Sequence, residues 1–396
     1  MVYDSYFVEI QNFASFRTNM LSLPLFAACA AGVFIVCLLI QLVRSLFIHL
    51  KLALLPLDRP LATPAFKPLT VIVYSRNALD DLKILLPLLE VQDYPLYEVV
   101  VVDDRSWDGT ADFLRAFTKT TQRIRVVTVN EGDKFIAGKK FALSMGIKAA
   151  AYDWLVFTDA HCVPASPAWL KGMQAPAEAE TEILLGHFAY DKGKGWLNLM
   201  LRLDAFFDAL AYLSAALRGR PYKGDGRNLA YKKSLFFNGK GFAAHMHLAA
   251  GEASLFVHQH ARKGNTKIRI HPDTQVWTHA EPTLISYIRE NKKRNKAEKS
   301  FRRSYGLGRI CYRILTGLFW VSGILLLCFP ETRYLTMAVI AGYALVRTLV
   351  YAPLFNRLHY SGLKWWLPLL DLMRIFFILF VAIVTIFVKP LPRNTY

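Results

Sequence analysis

A run of 19 residues without a charge, Leu25 to Val43, constrains this chain more than any other feature. Roughly 20 apolar residues in a helix cross a bilayer core. Backbone in hydrocarbon must also satisfy its own hydrogen bonds, which favours helix. A cleaved signal peptide would have a shorter apolar core behind a basic start. Here residues 1–20 hold Asp4, Glu9 and Arg17, so the start is not basic. Arg44, His49 and Lys51 follow the run. By the positive-inside rule, segment 1–20 is expected outside, a transmembrane helix at 21–50, and the chain from residue 51 in the cytoplasm.

The last third repeats the pattern, with apolar stretches at 310–329, 334–351 and 365–388. Pro330-Glu331-Thr332-Arg333 reads as a tight outside turn between the first two, and Arg313 is placed to snorkel. The third stretch carries Pro368, Asp371 and Arg374. Charges at membrane depth are costly unless paired, and these two stand three residues apart on a helix. That stretch is read as an interfacial turn followed by a span, or as a re-entrant segment returning to the cytoplasm. The basic tail 389–396 suits the latter.

The balance of the chain agrees. It is 54% hydrophobic yet carries a net charge of +18. An apolar and strongly basic chain suits a bilayer with a basic domain at its cytoplasmic face. Nucleic acid is the rival partner for such charge, but no helix-turn-helix, zinc-finger or RNA-binding signature is present. The five cysteines form no CxxC pair, so neither a disulfide framework nor a zinc site is indicated.

Residues 66–305 alternate strand-like and helix-like segments. LTVIVY (69–74), YEVVVV (97–102), the segment 124–129 and WLVFT (154–158) read as strands; 80–91 and 139–151 have helical spacing. The alternation predicts an α/β domain with a mostly parallel sheet covered on both faces. Ligands bind such sheets beyond the carboxyl ends of the strands. Ser75-Arg76-Asn77 follows the first strand, Asp103-Asp104-Arg105-Ser106-Trp107-Asp108-Gly109-Thr110 the second, and Asp159-Ala160-His161 the fourth. A lone Asp there is often a helix cap; the constellation points to a site.

The order VDDRSWDGT, GKKFAL, FTDAHC resembles the GT-A fold (a Rossmann-like mixed sheet) of family 2 inverting glycosyltransferases. The resemblance runs from about Lys67 to Arg303. The flanking helices resemble membrane-bound members, such as hyaluronan and cellulose synthases and bacterial lipid-linked or surface-glycan transferases. It implies a cytoplasmic GT-A domain at 51–309 in a multi-pass protein of the bacterial inner membrane. It further implies a nucleotide-sugar donor, UDP-linked by preference, and a lipid-linked or glycan acceptor. Asp103 and Asp104 would hold the nucleoside, with Arg76 and Asn77 lining its pocket, unless Asp103 caps the following helix. Lys139 and Lys140 open a helix, where a pyrophosphate is attracted, although a solvated helix start is equally ordinary. Asp159 and His161 occupy the place of the family's DxD motif, which binds a divalent cation. Imidazole in the second position favours Mn²⁺ over Mg²⁺, which prefers oxygen ligands.

Two departures from the family follow. Gly251-Glu252-Ala253 stands where members carry GED, GDD or TED, whose last Asp is the general base. Here that position is Ala253, leaving Glu252 as the motif's carboxylate and catalytic candidate; His258 and His260 lie further on. Processive members carry QxxRW on a helix near the membrane, and the corresponding segment here is Arg289-Glu-Asn-Lys-Lys-Arg-Asn-Lys296. Arg294 is its candidate diphosphate contact, while the polybasic run also suits anionic lipid. Gly224-Asp225-Gly226-Arg227-Asn228 resembles the acceptor-side hairpin, which makes Asp225, Arg227 and Asn228 acceptor candidates. Between the motifs, 196–217 is read as an interfacial amphipathic helix with Trp196, Phe206 and Phe207 at the lipid boundary. Three functions stay open: an active transferase, a pseudoenzyme partner in glycan assembly (favoured by Ala253), and a processive synthase.

Overall fold

The computed structural model describes residues 25–56, 66–130, 138–174, 180–279, 283–301 and 303–388. The expectations for residues 1–20 and for the tail 389–396 lie outside the described residues. The chain opens with α1, Leu25–Ala53, which passes through a π turn at Ser45–His49. Then come β1 (Leu69–Ser75), α2 (Leu79–Glu90), β2 (Tyr97–Asp104), α3 (Thr110–Phe117), β3 (Ile124–Val129), α4 (Lys139–Ala149) and β4 (Trp154–Asp159). The second half of the domain holds β5 (Cys162–Pro164), α5 (Trp169–Gln174), β6 (Ile183–Leu185), β7 (Phe188–Tyr190) and α6 (Trp196–Leu217). It continues with β8 (Leu229–Lys232), α7 (Lys233–Asn238), α8 (Glu252–His260), β9 (Thr266–Ile268), β10 (Val276–Thr278) and α9 (Leu284–Glu298). Three long helices close the chain: α10 (Arg303–Leu327), α11 (Pro330–Arg357) and α12 (Leu367–Phe387).

One sheet runs β3-β2-β1-β4-β8-β6-β9. Its first four strands are parallel, β8 is antiparallel to both β4 and β6, and β9 is parallel to β6. A second sheet, β5-β10-β7, sits beside it. The parallel strands are almost continuously apolar because helices cover both faces; β1 and β4 bury nearly every residue. Gly146 lets α4 lie directly on the sheet, since a Cβ there would come within 2.4 Å of Val102 Cγ2.

The domain and the long helices share one core. Phe206 of α6 stacks on Phe355 of α11, with ring centroids 4.0 Å apart, and Phe207 packs edge-on to Tyr351. This corrects the reading of α6. Phe206 and Phe207 are buried against protein, and only Trp196 stays half exposed, edge-on to Phe377 of α12. The helix is covered by its own chain where lipid was expected, because α11 and α12 return over it.

A smaller cluster joins α1, α10 and α11 through Phe34, Phe319 and Tyr343. Among the described residues, four helices are long and apolar enough to cross a membrane: Leu25–Ala53, Ile310–Leu327, Pro330–Arg357 and Ser361–Phe387. Their outward faces carry large exposed apolar side chains such as Leu349, Phe380 and Ile386. Pro330-Glu331-Thr332-Arg333 is the first turn of α11 rather than a free turn, with proline at a position that needs no N–H donor. Asp371 and Arg374 do not pair with each other. Asp371 reaches Arg347 of α11, and Arg374 reaches Asp204 of α6 at 3.3 Å. Both charges are paired across helices, which lowers the cost of placing them in an apolar stretch.

Candidate active site

Strand register builds the site. Ser75 aligns with Asp103 and Tyr74 with Asp159, so β2 and β4 deliver their carboxylates to the same end of the sheet, on either side of β1. Both Asp103 and Asp104 end β2 as strand residues, buried almost completely. Neither caps a helix. Asp108 does that work, accepting from the backbone N–H of Thr110 and of Leu79. Asp104 accepts from the Tyr74 hydroxyl at 2.9 Å and from Arg105 at 2.8 Å. One oxygen of Asp103 has no hydrogen-bond partner among the described residues. A buried acceptor left unmade costs about 1–3 kcal/mol, which a ligand's N–H or hydroxyl would recover.

Lys139 is the hub. Its ammonium donates to Asp159 Oδ1 at 2.6 Å, stands 3.6 Å from Glu252 Oε1, and lies over the Tyr74 ring. Burial disfavours this charge, but Asp159 and Glu252 outweigh burial and raise its pKa. Burial likewise works against the Asp159 carboxylate, and Lys139 prevails and holds it below its usual range. His161 Nε2 lies 4.0 Å from Asp159 Oδ2. Loss of hydration, only partly offset by Asp159, lowers the His161 pKa, which favours the neutral ligand form.

Asp159 and His161 fit a divalent cation on their chemistry. Two donors 4.0 Å apart lie within the span of two metal–ligand bonds of about 2.1 Å each. No group of three or more His, Cys, Asp or Glu side chains is gathered among the described residues.

The remaining candidates separate into those facing the cleft and those turned from it. A cavity of about 370 Å³ is lined by Tyr74, Lys139, Asp159, His161, Glu252 and Arg294, and also by Asp225, Arg227 and Ala253. Glu252 opens α8 behind Gly251, whose φ of 91° is one that side-chain-bearing residues rarely adopt. Lys140 points away from the cleft. Its three N–H groups reach the carbonyls of His245, Leu248 and Ala250 at 2.9, 2.6 and 2.8 Å, holding the loop that leads into Gly251. Asn228 is also turned away: it binds Trp169 Nε1 and the carbonyls of His187 and Thr274. Asn77 shapes its turn with a φ of 49°, accepting from Trp107 N–H. Arg76 rests near the Trp107 ring.

Asp225 is clamped by Arg227 through two contacts of 2.8 and 2.9 Å, and Arg227 stacks on Phe188 at 3.4 Å. Burial would raise Asp225, but Arg227 pulls it far below the ordinary range, so it is a poor proton acceptor. Arg294 stands 3.6 Å from Asp208. His258 contacts the Tyr222 carbonyl and stacks on Phe301, and His260 packs on Phe256. Sequence reasoning missed Tyr74, which links Asp104 to Lys139. The register of two parallel strands brings it there, and that register is not written in local pattern.

Residues 70–248 match a family model described as Glycosyl transferase family 2. A Bacillus subtilis protein named as a teichuronic acid biosynthesis glycosyltransferase, TuaG, is 34% identical over 95 residues. That match covers 24% of this chain and 36% of the relative, so the chain spans about a third of the relative it matches. Among solved structures, the mannosyltransferase PcManGT from Pyrobaculum calidifontis, in complex with GDP-Man and Mn²⁺, is similar with a TM-score of 0.55. It is 20% identical, over 85% of this chain and 97% of that one. S. aureus TarS 1-349 gives a TM-score of 0.41 at 18% identity, covering 75% and 90% of the two chains. The chain thus has a GT-A-type mixed α/β fold, and its residues 70–248 carry the sequence pattern of glycosyltransferase family 2.

Proposed function

We infer that this protein is a membrane-embedded, metal-dependent inverting glycosyltransferase. It would take a sugar from a nucleotide sugar to a lipid-linked or glycan acceptor at the cytoplasmic face. The observation that carries this reading is the convergence of Asp159, His161 and Glu252 around Lys139 at the carboxyl edge of the sheet.

In this reading Asp103 and Asp104 receive the nucleoside, and the unpartnered Asp103 oxygen takes one of its donors. Lys139 lies beside the diphosphate. Asp159 and His161 would hold a divalent cation, Mn²⁺ by preference, which when bound would neutralise charge building on the departing diphosphate. Glu252 accepts the proton of the acceptor hydroxyl as that oxygen forms its bond to the sugar C1. The C1–oxygen bond to the diphosphate breaks on the opposite face, so configuration inverts and the nucleoside diphosphate leaves. Asp225 is excluded as base by its clamp with Arg227. The mannosyltransferase neighbour was solved with a GDP-sugar and the earlier expectation is a UDP-sugar, so both donors belong in the test.

The four apolar helices support anchoring, with the basic segments around Arg44, Lys51 and residues 289–296 on the cytoplasmic side. The full-length chain with Mn²⁺ and a panel of UDP- and GDP-sugars should release nucleotide when membrane lipid extract is added. Release from no donor, with no binding of either nucleotide, would overturn the reading. A second reading, the pseudoenzyme, draws on Ala253, which faces the cleft where the family's base stands. It predicts nucleotide binding without release.

A further inference from the structure

A second cavity, of about 660 Å³, adjoins the cleft that holds Glu252. It lies where α1, α6, α9, α10 and α12 meet, and seven Arg and Lys side chains line it against three carboxylates. The carboxylates are accounted for. Asp208 and Glu298 both engage Lys223, at 2.8 and 2.9 Å, and Asp204 engages Arg374. Arg44, Arg218 and Arg220 pair with no carboxylate among the described residues. Arg44 lies over the Tyr312 ring and near His49, and Arg218 donates to the Ser214 carbonyl. Burial, with the positive fields of Arg44 and Arg220, lowers the Arg218 pKa. Like charges gathered in a cleft without their counterions fit an anion from outside the chain.

Two further facts narrow its kind. Lys223, Asn291, Arg294 and Glu298 line both this cavity and the cleft of Glu252, so the two share a wall. The membrane-facing helices contribute Arg44, Tyr312, Arg313 and Arg374 to the cavity. Phe207, Leu210, Ala211 and Ala215 of α6 add an apolar strip. A ligand suited to this place has a charged head in the cleft and an apolar tail in the bilayer. Guanidinium forks match phosphate oxygens.

We propose that this cavity binds the phosphate of the lipid-linked acceptor, with Arg44, Arg218 and Arg220 as its phosphate contacts, so that a hydroxyl of the group the phosphate carries reaches Glu252 across the shared wall. The proposal rests on the glycosyltransferase reading, and its test separates the two. The full-length chain in phosphatidylcholine nanodiscs is titrated with phytanyl phosphate, with phytanol and with inorganic phosphate. UDP and GDP with Mn²⁺ are titrated separately. Phytanyl phosphate should bind saturably, and Arg218→Gln/Arg220→Gln should weaken it by about tenfold or more, each lost charged hydrogen bond being of that order. Nucleotide affinity should not change. Arg220 is exposed, so Arg220→Gln alone carries the comparison if the double variant does not fold. Phytanol binding as tightly as its phosphate overturns the proposal, as does unchanged lipid affinity in the variants. Inorganic phosphate that binds as tightly as the lipid assigns the site to a soluble anion and also overturns it. Absence of UDP and GDP binding, whatever the lipid does, condemns the glycosyltransferase reading instead.

Discussion

The two sides of the cleft are built by different physics. On one side, Asp103, Asp104 and Asp159 are placed by the ends of parallel strands, and backbone ladders fix their positions. On the other, the charged residues are placed by one another: Asp225 with Arg227, Lys223 with Asp208 and Glu298, Arg374 with Asp204. Removing the Asp103 carboxylate, which is in no ion pair among the described residues, should therefore cost ligand binding and leave the fold intact. Removing a partner on the other side should cost stability, because a buried charge is left uncompensated.

Glu252→Gln is the sharpest break. Glu252 belongs to neither pattern: it opens α8 and touches only the edge of the Lys139 network. Its amide keeps size and hydrogen bonding but cannot take the proton. Transfer should fall by about 10²–10⁴-fold, with nucleotide affinity within about twofold of the parent. Full activity would show that another group takes the proton.

Lys223→Met tests the ion-paired side. It takes the shared cation from buried Glu298 and half-buried Asp208, a loss of about 3 kcal/mol. Thermal unfolding of the full-length chain should shift down clearly. Asp103→Asn, at a carboxylate in no ion pair among the described residues, should move the unfolding temperature little. Equal shifts in the two variants would abolish the distinction.

His161→Ala should weaken Mn²⁺-dependent nucleotide binding by about tenfold or more, since outer partners of metals alone carry 10–100-fold effects. His161→Asp should retain binding and shift preference towards Mg²⁺. Nucleotide binding that is equally strong in EDTA would remove the cation from the account.

The same division decides what the sequence made legible. The strands 69–74, 97–102, 124–129 and 154–158 stand within two residues of β1 to β4, because buried parallel strands are continuous apolar runs. Asp103, Asp104 and Asp159 could be pointed to for that reason alone. The three-residue strands β5, β6, β7, β9 and β10 left no period to detect. Lys140 and Asn228 looked like ligand contacts because their motifs did. Only the fold reveals three carbonyls around one and an indole with two carbonyls around the other. The burial of Phe206 and the Asp204 partner of Arg374 join helices some 150 or more residues apart in sequence, and Asp371 finds Arg347 24 residues away on the preceding helix. No local pattern carries such pairings.

The smallest expected effect is the most discriminating between enzyme and pseudoenzyme. Ala253 lines the cleft beside Glu252, and a Cβ added at Gly226 would meet its Cβ at 3.4 Å. The side chain therefore faces the hairpin that carries Asp225, so an aspartate there would point into the cleft. It would also approach Lys139, already shared by Asp159 and Glu252. If Glu252 is the base, Ala253→Asp adds a redundant carboxylate, and transfer should stay within about threefold of the parent. A helix turns about 100° per residue, so the two carboxylates leave α8 in different directions. The longer Glu side chain must make up that difference in the parent. Combining the changes sharpens the outcome: Glu252→Gln/Ala253→Asp should recover transfer lost in Glu252→Gln if the cleft accepts a base from either position. A parent without transfer, together with an Ala253→Asp variant that transfers, would make the natural chain the pseudoenzyme. Its nucleotide cleft would then serve binding alone.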